Sequence, residues 1–187
     1  MQPNPSSSVN PDHLSYFTFV GRVIALAIYH NELLRVSFTR PFYKLLLDRP
    51  IELDDLESVD PVQYKNLRWL LDNDVDDLEM TFTAELNVFG SMEVVDLIPN
   101  GREVDVTNSN KAEYVRLLTQ QRMFKSIEEQ VNAFKRGFFD IVPSYIGVFD
   151  EYQLELLISG LPDVDVEDWQ ANTKYNTFTS DDSVVLW

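Results

Sequence analysis

The sequence predicts an α+β fold that is mostly helical, and periodicity in three stretches carries that prediction. In the first and last thirds of the 187 residues, apolar side chains recur three and four positions apart, which is the spacing of an amphipathic helix. Between residues 80 and 88 apolar and polar side chains alternate instead, as in a half-buried strand. We therefore expect two helical segments that flank an inserted unit of helix and β-hairpin.

The first helical segment follows residues 1–9, which are polar and rich in proline and serine and are expected to form a disordered tail. Asn10 and Pro11 are typical of a helix start, where the missing N–H of proline costs nothing. One apolar stripe then follows at helical spacing: Leu14, Phe17, Gly21, Ile24 and Ile28. Thr39-Arg40-Pro41 predicts the start of a second helix, and Asp60-Pro61 predicts the start of a third.

The inserted unit continues with a hairpin. Residues 80–88 form the first predicted strand, and a turn at Gly90-Ser91 leads to a second strand near Val94. Asn100-Gly101 predicts a turn because both residues tolerate a positive φ. Residues 104–106 are then expected to form a short return strand.

Helical spacing returns over residues 117–138, where Gly137 is a candidate stop. Pro143 breaks this pattern. Asp150 can cap a further helix that Gly160 ends.

The composition excludes several classes of function. Fifteen Lys and Arg against 31 Asp and Glu give a net charge of −16, which argues against binding to nucleic acid or to an anionic membrane. No apolar run approaches the roughly 18 residues of a membrane span. The chain has no cysteine and its first residues do not resemble a signal peptide, so we expect an intracellular location. The charge is concentrated in residues 44–114, which hold six basic and 17 acidic side chains.

The residues carry no signature of catalysis or of a metal or other cofactor. Without cysteine there is no thiol nucleophile, and His13 and His30 are too few and too far apart for zinc. Residues 72–77 are acidic but lack the central glycine and the distal glutamate of a calcium loop. What remains is a surface that binds a protein partner through apolar anchors.

Several runs resemble sequences of the HECT ubiquitin ligases. The two longest are NPDHLSYF, at residues 10–17, and FDEYQLELLISGLP, at residues 149–162. The others are residues 38–44, 70–75, 78–82, 110–115, 132–138, 163–169 and 172–175. Their order and spacing make the chain from Asn10 onward similar to the N-lobe of a HECT domain.

The resemblance implies an N-lobe with a large helical part, residues 10–43 and 115–187, and a small subdomain, residues 44–114. In this family the small subdomain docks a ubiquitin-conjugating enzyme, and ubiquitin then passes through a thioester on a cysteine in a separate C-lobe. This chain has no cysteine. We therefore expect it to hold the docking half of a ubiquitin transferase, with the C-lobe absent, to be inactive alone, and to rely on other regions for substrate proteins.

The resemblance also implies site residues. An apolar groove that receives an aromatic side chain of the conjugating enzyme would be formed by Gln63, Leu67, Asn73, Leu78 and Tyr114, with Leu118 nearby. Met123 matches a position of a weak ubiquitin-binding surface. Leu67 has a second interpretation, because its place on an amphipathic helix also suits plain core.

Two other functions stay open at this point. The chain is also consistent with a non-enzymatic acidic module that binds an unrelated basic protein. A carboxylate-based hydrolase is the third, since an acidic chain offers candidate carboxylate pairs.

Overall fold

The computed structural model of the protein describes residues 1–88, 91–160 and 166–174. In this part of the chain helices dominate and one two-stranded hairpin is the only sheet, which confirms the predicted α+β, mostly helical class. The helices are α1 His13–Tyr29, α2 Arg40–Leu46, α3 Pro61–Asp72, α4 Lys111–Met123, α5 Glu128–Phe139, α6 Glu151–Ser159 and α7 Val166–Asn172; the strands are β1 Thr83–Val88 and β2 Ser91–Asp96. The predictions for Gly90, and the parts of the resembling runs at residues 161–165 and 175, lie outside the described residues.

Residues 1–9 differ from the expected disordered tail, because Pro5–Val9 form a 3-10 helix. Its Ser7 hydroxyl accepts a hydrogen bond from Gln130 Nε2 and lies 3.0 Å from His13 Nδ1. These contacts join the segment to α5 and α1. The polar composition predicted disorder, whereas one local contact with His13 and one long-range hydrogen bond from Gln130 give this segment a fixed place.

The first hydrophobic core lies among α1, α2, α5 and α6. Three of its aromatic rings pack in series: Phe42 meets Phe134 edge-on at 5.0 Å between ring centroids, and Phe134 stacks on Phe138 at 6.2 Å. The start of α2 is confirmed, with Thr39 as its cap. The start of α6 is confirmed as well, because Asp150 Oδ1 accepts from the main-chain N–H of the third helical residue.

Helix α1 crosses α5 at two glycines, and this close approach corrects the expectation for Gly137. A Cβ atom at Gly21 would lie 2.2 Å from the carbonyl oxygen of Phe134, and one at Gly137 would lie 1.9 Å from that of Thr18. Gly137 therefore does not stop the helix, which continues to Phe139. It is a contact between two main chains.

The second hydrophobic core lies among α3, α4 and the hairpin. Its buried side chains all fall between Leu56 and Met123 in the sequence. Strand β1 pairs with β2 in antiparallel register, with Thr83 opposite Asp96. The start of α3 is confirmed, because Asp60 Oδ1 accepts from the main-chain N–H of Gln63 at 2.9 Å. The boundaries of the small subdomain at residues 44 and 114 stay a prediction.

Strand β1 is shorter than the alternation predicts, and no return strand forms at residues 104–106. The main-chain N–H of Phe82 donates to the carbonyl oxygens of Gly101 and Val104, each at 3.0 Å, so the chain there follows a turn and not a ladder. One isolated bridge, between Thr81 and Asp105, is what remains of the expected pairing. The turn itself is confirmed by the positive φ of 56° at Asn100.

Residues 117–138 form two helices, although their periodicity is continuous. Helix α4 ends at Met123, Phe124 departs from helical geometry with φ −128° and ψ −58°, and a 3-10 turn at Lys125–Ile127 leads into α5. The division matches the packing: α4 contributes to the second core and α5 to the first. A cavity of about 440 Å³ lies at this junction, lined by Pro50 and Ile51 on one side and by Phe124 and Lys125 on the other.

Among the described residues, no helix combines the length and the apolar character needed to cross a bilayer.

Candidate protein-docking site

An open groove of about 340 Å³ lies on the surface of the second core, between α4 and the start of β1. We call it the docking groove. Its lining residues come from four segments: Gln63 of α3; Glu79, Met80 and Thr81 before the hairpin; Thr83, Ala84 and Glu85 of β1; and Tyr114, Leu118 and Arg122 of α4. Tyr114, Leu118 and Arg122 are successively four positions apart, so they lie on one face of α4.

Tyr114 forms the part of the groove where α4 begins. The turn before this helix is fixed by Asn110, whose Oδ1 accepts from Thr107 N at 2.7 Å. The Tyr114 ring is 6 % exposed and meets Phe82 edge-on at 5.6 Å, while its hydroxyl donates to the carbonyl oxygen of Thr83 at 3.5 Å. Burial raises the pKa of the Tyr114 phenol above its ordinary value. The ring is therefore a neutral apolar surface with a polar tip.

Leu78 directly precedes Glu79, a residue that lines the docking groove. Its side chain is 42 % exposed, although leucine is a core residue type. Glu79 ends the short 3-10 helix Asp76–Leu78 with φ 49°, in the left-handed region that non-glycine residues seldom adopt. Main-chain strain of this kind persists where the surrounding structure fixes it, and it recurs at binding sites.

The acidic residues next to the groove have structural partners. Asn108 donates from Nδ2 to Asp74 Oδ1 at 2.6 Å, and its main-chain N–H donates to Asp76 Oδ1 at 2.9 Å. The hydrogen bond from Asn108 holds the pKa of Asp74 below its ordinary value. These contacts tie the loop after α3 to the turn before α4, and within the described residues no group of three or more acidic or histidine side chains could hold a metal ion.

The structure brings together only some of the residues that the resemblance assigned to the docking site. Gln63, Tyr114 and Leu118 line the groove, and Leu78 directly precedes the lining residue Glu79 but does not itself line the groove. Leu67 is 1 % exposed and belongs to the second core, as its alternative interpretation held. Asn73 caps the end of α3, with its Nδ2 donating to the carbonyl oxygen of Trp69 at 2.9 Å.

Met123, which the resemblance assigned to a ubiquitin-binding surface, lies at the end of α4 and lines a cavity of about 350 Å³ beside Leu56 and Arg122. It is 3 % exposed and packs within the second core. The resemblance placed it by position alone, and the end of α4 turns that position inward. It stays a prediction that the residues assigned by the resemblance bind a partner.

Sequence reasoning missed seven of the ten lining residues: Glu79, Met80, Thr81, Thr83, Ala84, Glu85 and Arg122. Met80 and Glu85 were placed in the predicted strand by the alternation, and Glu79 was noted only within the resembling run at residues 78–82. Arg122 gave no signal, because a single arginine on an amphipathic helix is usually solvated.

Trp69 and Val62 are also exposed, seven positions apart on α3, so they share its outer face.

Comparison with known proteins places the chain in a family. A family model described as HECT-domain (ubiquitin-transferase) matches residues 1–187. E3 ubiquitin-protein ligase HACE1 of Xenopus tropicalis is 52 % identical over 190 residues, which cover 100 % of this chain and 21 % of that protein. HACE1 of Homo sapiens is 50 % identical with the same coverage, and E3 ubiquitin-protein ligase pub1 of Schizosaccharomyces pombe is 47 % identical over 189 residues, 25 % of its length.

The chain thus spans about a fifth to a quarter of the length of these relatives. The family model matches it from its first residue to its last, across both hydrophobic cores and the docking groove. The chain belongs to the HECT-domain family of ubiquitin transferases.

Proposed function

We propose that this chain is the docking lobe of a HECT ubiquitin ligase. It binds a ubiquitin-conjugating enzyme, so that ubiquitin passes by thioester relay to a catalytic cysteine that the ligase carries outside these 187 residues. The observation that carries the proposal is the docking groove together with the exposed Leu78, which directly precedes the lining residue Glu79. The relatives are ubiquitin ligases by name, and ligases of this family work with conjugating enzymes and ubiquitin.

We place one apolar side chain of the partner over the small apolar floor of the groove, whose accessible lining is otherwise more polar than apolar. Tyr114, Leu118 and Met80 supply apolar lining, and Gln63 and the two glutamates supply polar atoms around it. A protein interface commonly has this arrangement, in which an aromatic or aliphatic anchor is buried and polar groups surround it. An aromatic residue on a loop of the conjugating enzyme is the occupant that the family resemblance implies.

Charge supports the same partner. Residues 44–114 hold six basic and 17 acidic side chains, and Glu79 and Glu85 line the groove itself. A negative surface attracts a basic partner over distances of about 10 Å at moderate salt. A conjugating enzyme that presents a basic first helix would be steered toward this side of the chain.

Transfer chemistry needs a residue that this chain does not have. The sequence contains no cysteine, so the chain alone cannot hold ubiquitin as a thioester. Its contribution to catalysis is to bring the loaded enzyme close to the nucleophile. Substrate proteins are bound, in this proposal, by other regions of the ligase.

The proposal is tested by titrating a panel of isotope-labelled conjugating enzymes with the unlabelled chain and following their NMR shifts. We expect shifts in the first helix and two exposed loops of at least one enzyme. Leu78→Ala should weaken this binding by about 1–2 kcal/mol, because it truncates an exposed anchor without opening the core. Leu156→Ala is the matched control, since Leu156 has the same 42 % exposure on α6, away from the groove.

Two results would contradict the proposal. Equal losses in the Leu78 and Leu156 variants would place the interface elsewhere. The absence of shifts with every enzyme, for a chain that is folded by circular dichroism, would instead favour the acidic module that binds an unrelated basic protein.

A further inference from the structure

The outer face of α3 carries two large apolar side chains that the rest of the described chain leaves exposed. Val62 is 70 % exposed and Trp69 is 51 % exposed, and neither packs in the second core. They are seven positions apart, so they lie on one face of the helix, about 10 Å from each other. A single exposed apolar side chain is ordinary, but tryptophan is among the residue types most often found as a binding anchor at protein interfaces.

The same face carries two cations without partners. Lys65 and Arg68 are exposed and form no hydrogen bond or ion pair within the described residues. The other four basic side chains of residues 44–114 are engaged: Lys44, Arg49 and Arg102 form ion pairs, and Lys111 donates to the carbonyl oxygen of Asn73. Lys65 and Arg68 share their face with one carboxylate, that of Asp72, which pairs with neither. Both cations are therefore available to a carboxylate from outside the chain.

This face continues into the docking groove. Gln63 lines the groove, and Asn66 and Trp69 follow it at steps of three along α3. Residues at this spacing are neighbours on a helix surface and form a ridge. A specific interface takes about 20–30 residues from each partner, whereas ten residues line the groove. A protein that docks in the groove therefore needs further contacts, and the outer face of α3 lies beside it.

We propose that the conjugating enzyme also contacts the outer face of α3, where Val62 and Trp69 bind two of its apolar side chains and Lys65 and Arg68 bind its carboxylates. This inference rests on the docking function proposed above. It gives that function a second anchor and states the chemistry of the enzyme segment that meets it. The segment presents apolar side chains about 10 Å apart, flanked by aspartate or glutamate.

The charges of the two regions would fix the orientation of the enzyme. Glu79 and Glu85 line the groove and attract basic side chains, whereas Lys65 and Arg68 repel them. An enzyme with basic residues beside the groove and acidic residues over α3 meets opposite charges at both places. An enzyme with a uniformly basic surface meets like charges over α3, which weakens its binding. The two regions together would thus select among conjugating enzymes by their arrangement of charge.

The first experiment measures the affinity of the 187-residue chain for the conjugating enzyme that binds best in the NMR panel, together with the urea midpoint of each variant. We expect Trp69→Ala to weaken binding about tenfold, as for the truncation of an interface anchor. Its urea midpoint should stay unchanged, because substitution of an exposed side chain outside the core has little effect on stability. Tyr145→Ala is the control, since Tyr145 is an exposed aromatic residue on the 3-10 helix Ser144–Val148, whose buried Ile146 belongs to the first core.

Charge reversal tests the cations. Arg68→Glu should weaken binding about fivefold more than Lys174→Glu, an exposed control that changes the net charge of the chain by the same amount. The NMR titration identifies the carboxylate of the enzyme that shifts with the wild-type chain but not with Arg68→Glu. Replacing that enzyme residue by lysine should weaken binding to the wild-type chain and restore binding to Arg68→Glu, because the pair is then reversed.

Every other outcome overturns the inference, and the Leu78 variant tells which proposal fails. Wild-type affinity in Trp69→Ala, or equal effects of Arg68→Glu and Lys174→Glu, rejects the contact with α3; weakened binding by Leu78→Ala then leaves the docking function standing. Tighter binding by Arg68→Glu would mean that the enzyme places basic residues over this face. A lower midpoint in Trp69→Ala makes Trp69 structural. No binding by the wild-type chain rejects both proposals.

Discussion

Gly137 of α5 lies against the main-chain carbonyl oxygen of Thr18 on α1, so closely that a Cβ atom at residue 137 would be 1.9 Å from that oxygen. Because the neighbour is main chain, it cannot turn aside as a flexible side chain could. Gly21 makes the reciprocal approach to Phe134 from α1. The crossing of these two helices therefore depends on two residues that contribute no side chain.

Gly137→Ala should destabilise the protein. The added methyl group has to push α1 away from α5, and overpacking of this kind costs about 1–3 kcal/mol or more. A urea titration followed by circular dichroism measures the effect. Gly147→Ala is the control, since no atom lies within 4 Å of a Cβ there. Equal stability of the Gly137 variant and the wild type would mean that the two helices do not cross as described.

Leu67→Ala tests whether this residue belongs to the core or to the docking groove. Leu67 is 1 % exposed in the second core, so its truncation should lower the free energy of unfolding by about 2–5 kcal/mol. The folded fraction should bind the conjugating enzyme with wild-type affinity, because the side chain does not line the groove. A variant that keeps its stability and loses binding would restore Leu67 to the site.

Asp55→Ala should be far more disruptive than Asp140→Ala, although each removes one partner of an ion pair. Asp55 is buried, lies 2.8 Å from Lys44 Nζ, and also accepts from the main-chain N–H of Glu52 at 2.8 Å. Its loss leaves an uncompensated buried charge, which costs about 3–5 kcal/mol. Asp140 and its partner Arg22 are about half exposed, so we expect less than about 1 kcal/mol there. Similar losses in the two variants would contradict the burial of the Lys44 pair.

Acid should weaken the tie between the loop after α3 and the turn before α4. The hydrogen bond from Asn108 lowers the pKa of Asp74 in the folded state below its ordinary value of 3.8. A lowered pKa means that this stabilisation is complete above the unfolded-state pKa and is lost as the pH falls through the folded-state pKa. We expect the urea midpoint to fall less between about pH 6 and about pH 3 in Asp74→Asn than in the wild type. Parallel falls in the two proteins would assign the acid sensitivity to other carboxylates.

Salt should slow the association of the chain with its conjugating enzyme. The net charge of residues 44–114 attracts a basic partner only within the Debye length, which falls from about 10 Å at 0.1 M salt to about 3 Å at 1 M. Stopped-flow measurements across this range should give a decreasing association rate and a nearly constant dissociation rate. An association rate that does not change with salt would remove charge from the docking mechanism.

The starts of α2, α3 and α6 were readable from the sequence because each depends on local chemistry, whereas α1 begins at His13 with Asp12 as its cap and not at Pro11 after Asn10. Thr39, Asp60 and Asp150 each precede a helix as its cap, and two of these helices have proline in their first turn. The break between α4 and α5 was not readable. No glycine or proline marks Phe124, and the helix divides there because its two halves pack in different cores.

Three of the residues that line the groove could be assigned from the sequence, and Leu67 shows the limit of the periodic pattern. Leu67 and Leu118 both lie on apolar helix faces and both are buried in the second core, and only the packing of the surrounding segments decides that Leu118 also borders the groove. Arg122 could not be assigned, because its place in the lining of the groove depends on the positions of all its neighbours.

The junction cavity described above also bears on how the chain folds. Pro50 and Ile51 line it together with Phe124 and Lys125. The chain therefore leaves the first core near Pro50 and returns to it near Phe124, and these two places are close together in space. Closing a flexible loop of roughly seventy residues has an entropic cost that grows with the logarithm of its length. If the second core forms first, it replaces that loop with a short rigid connection. The assembly of α1 and α2 with α5 and α6 would then become a nearly local event, and its rate would depend on the stability of the second core.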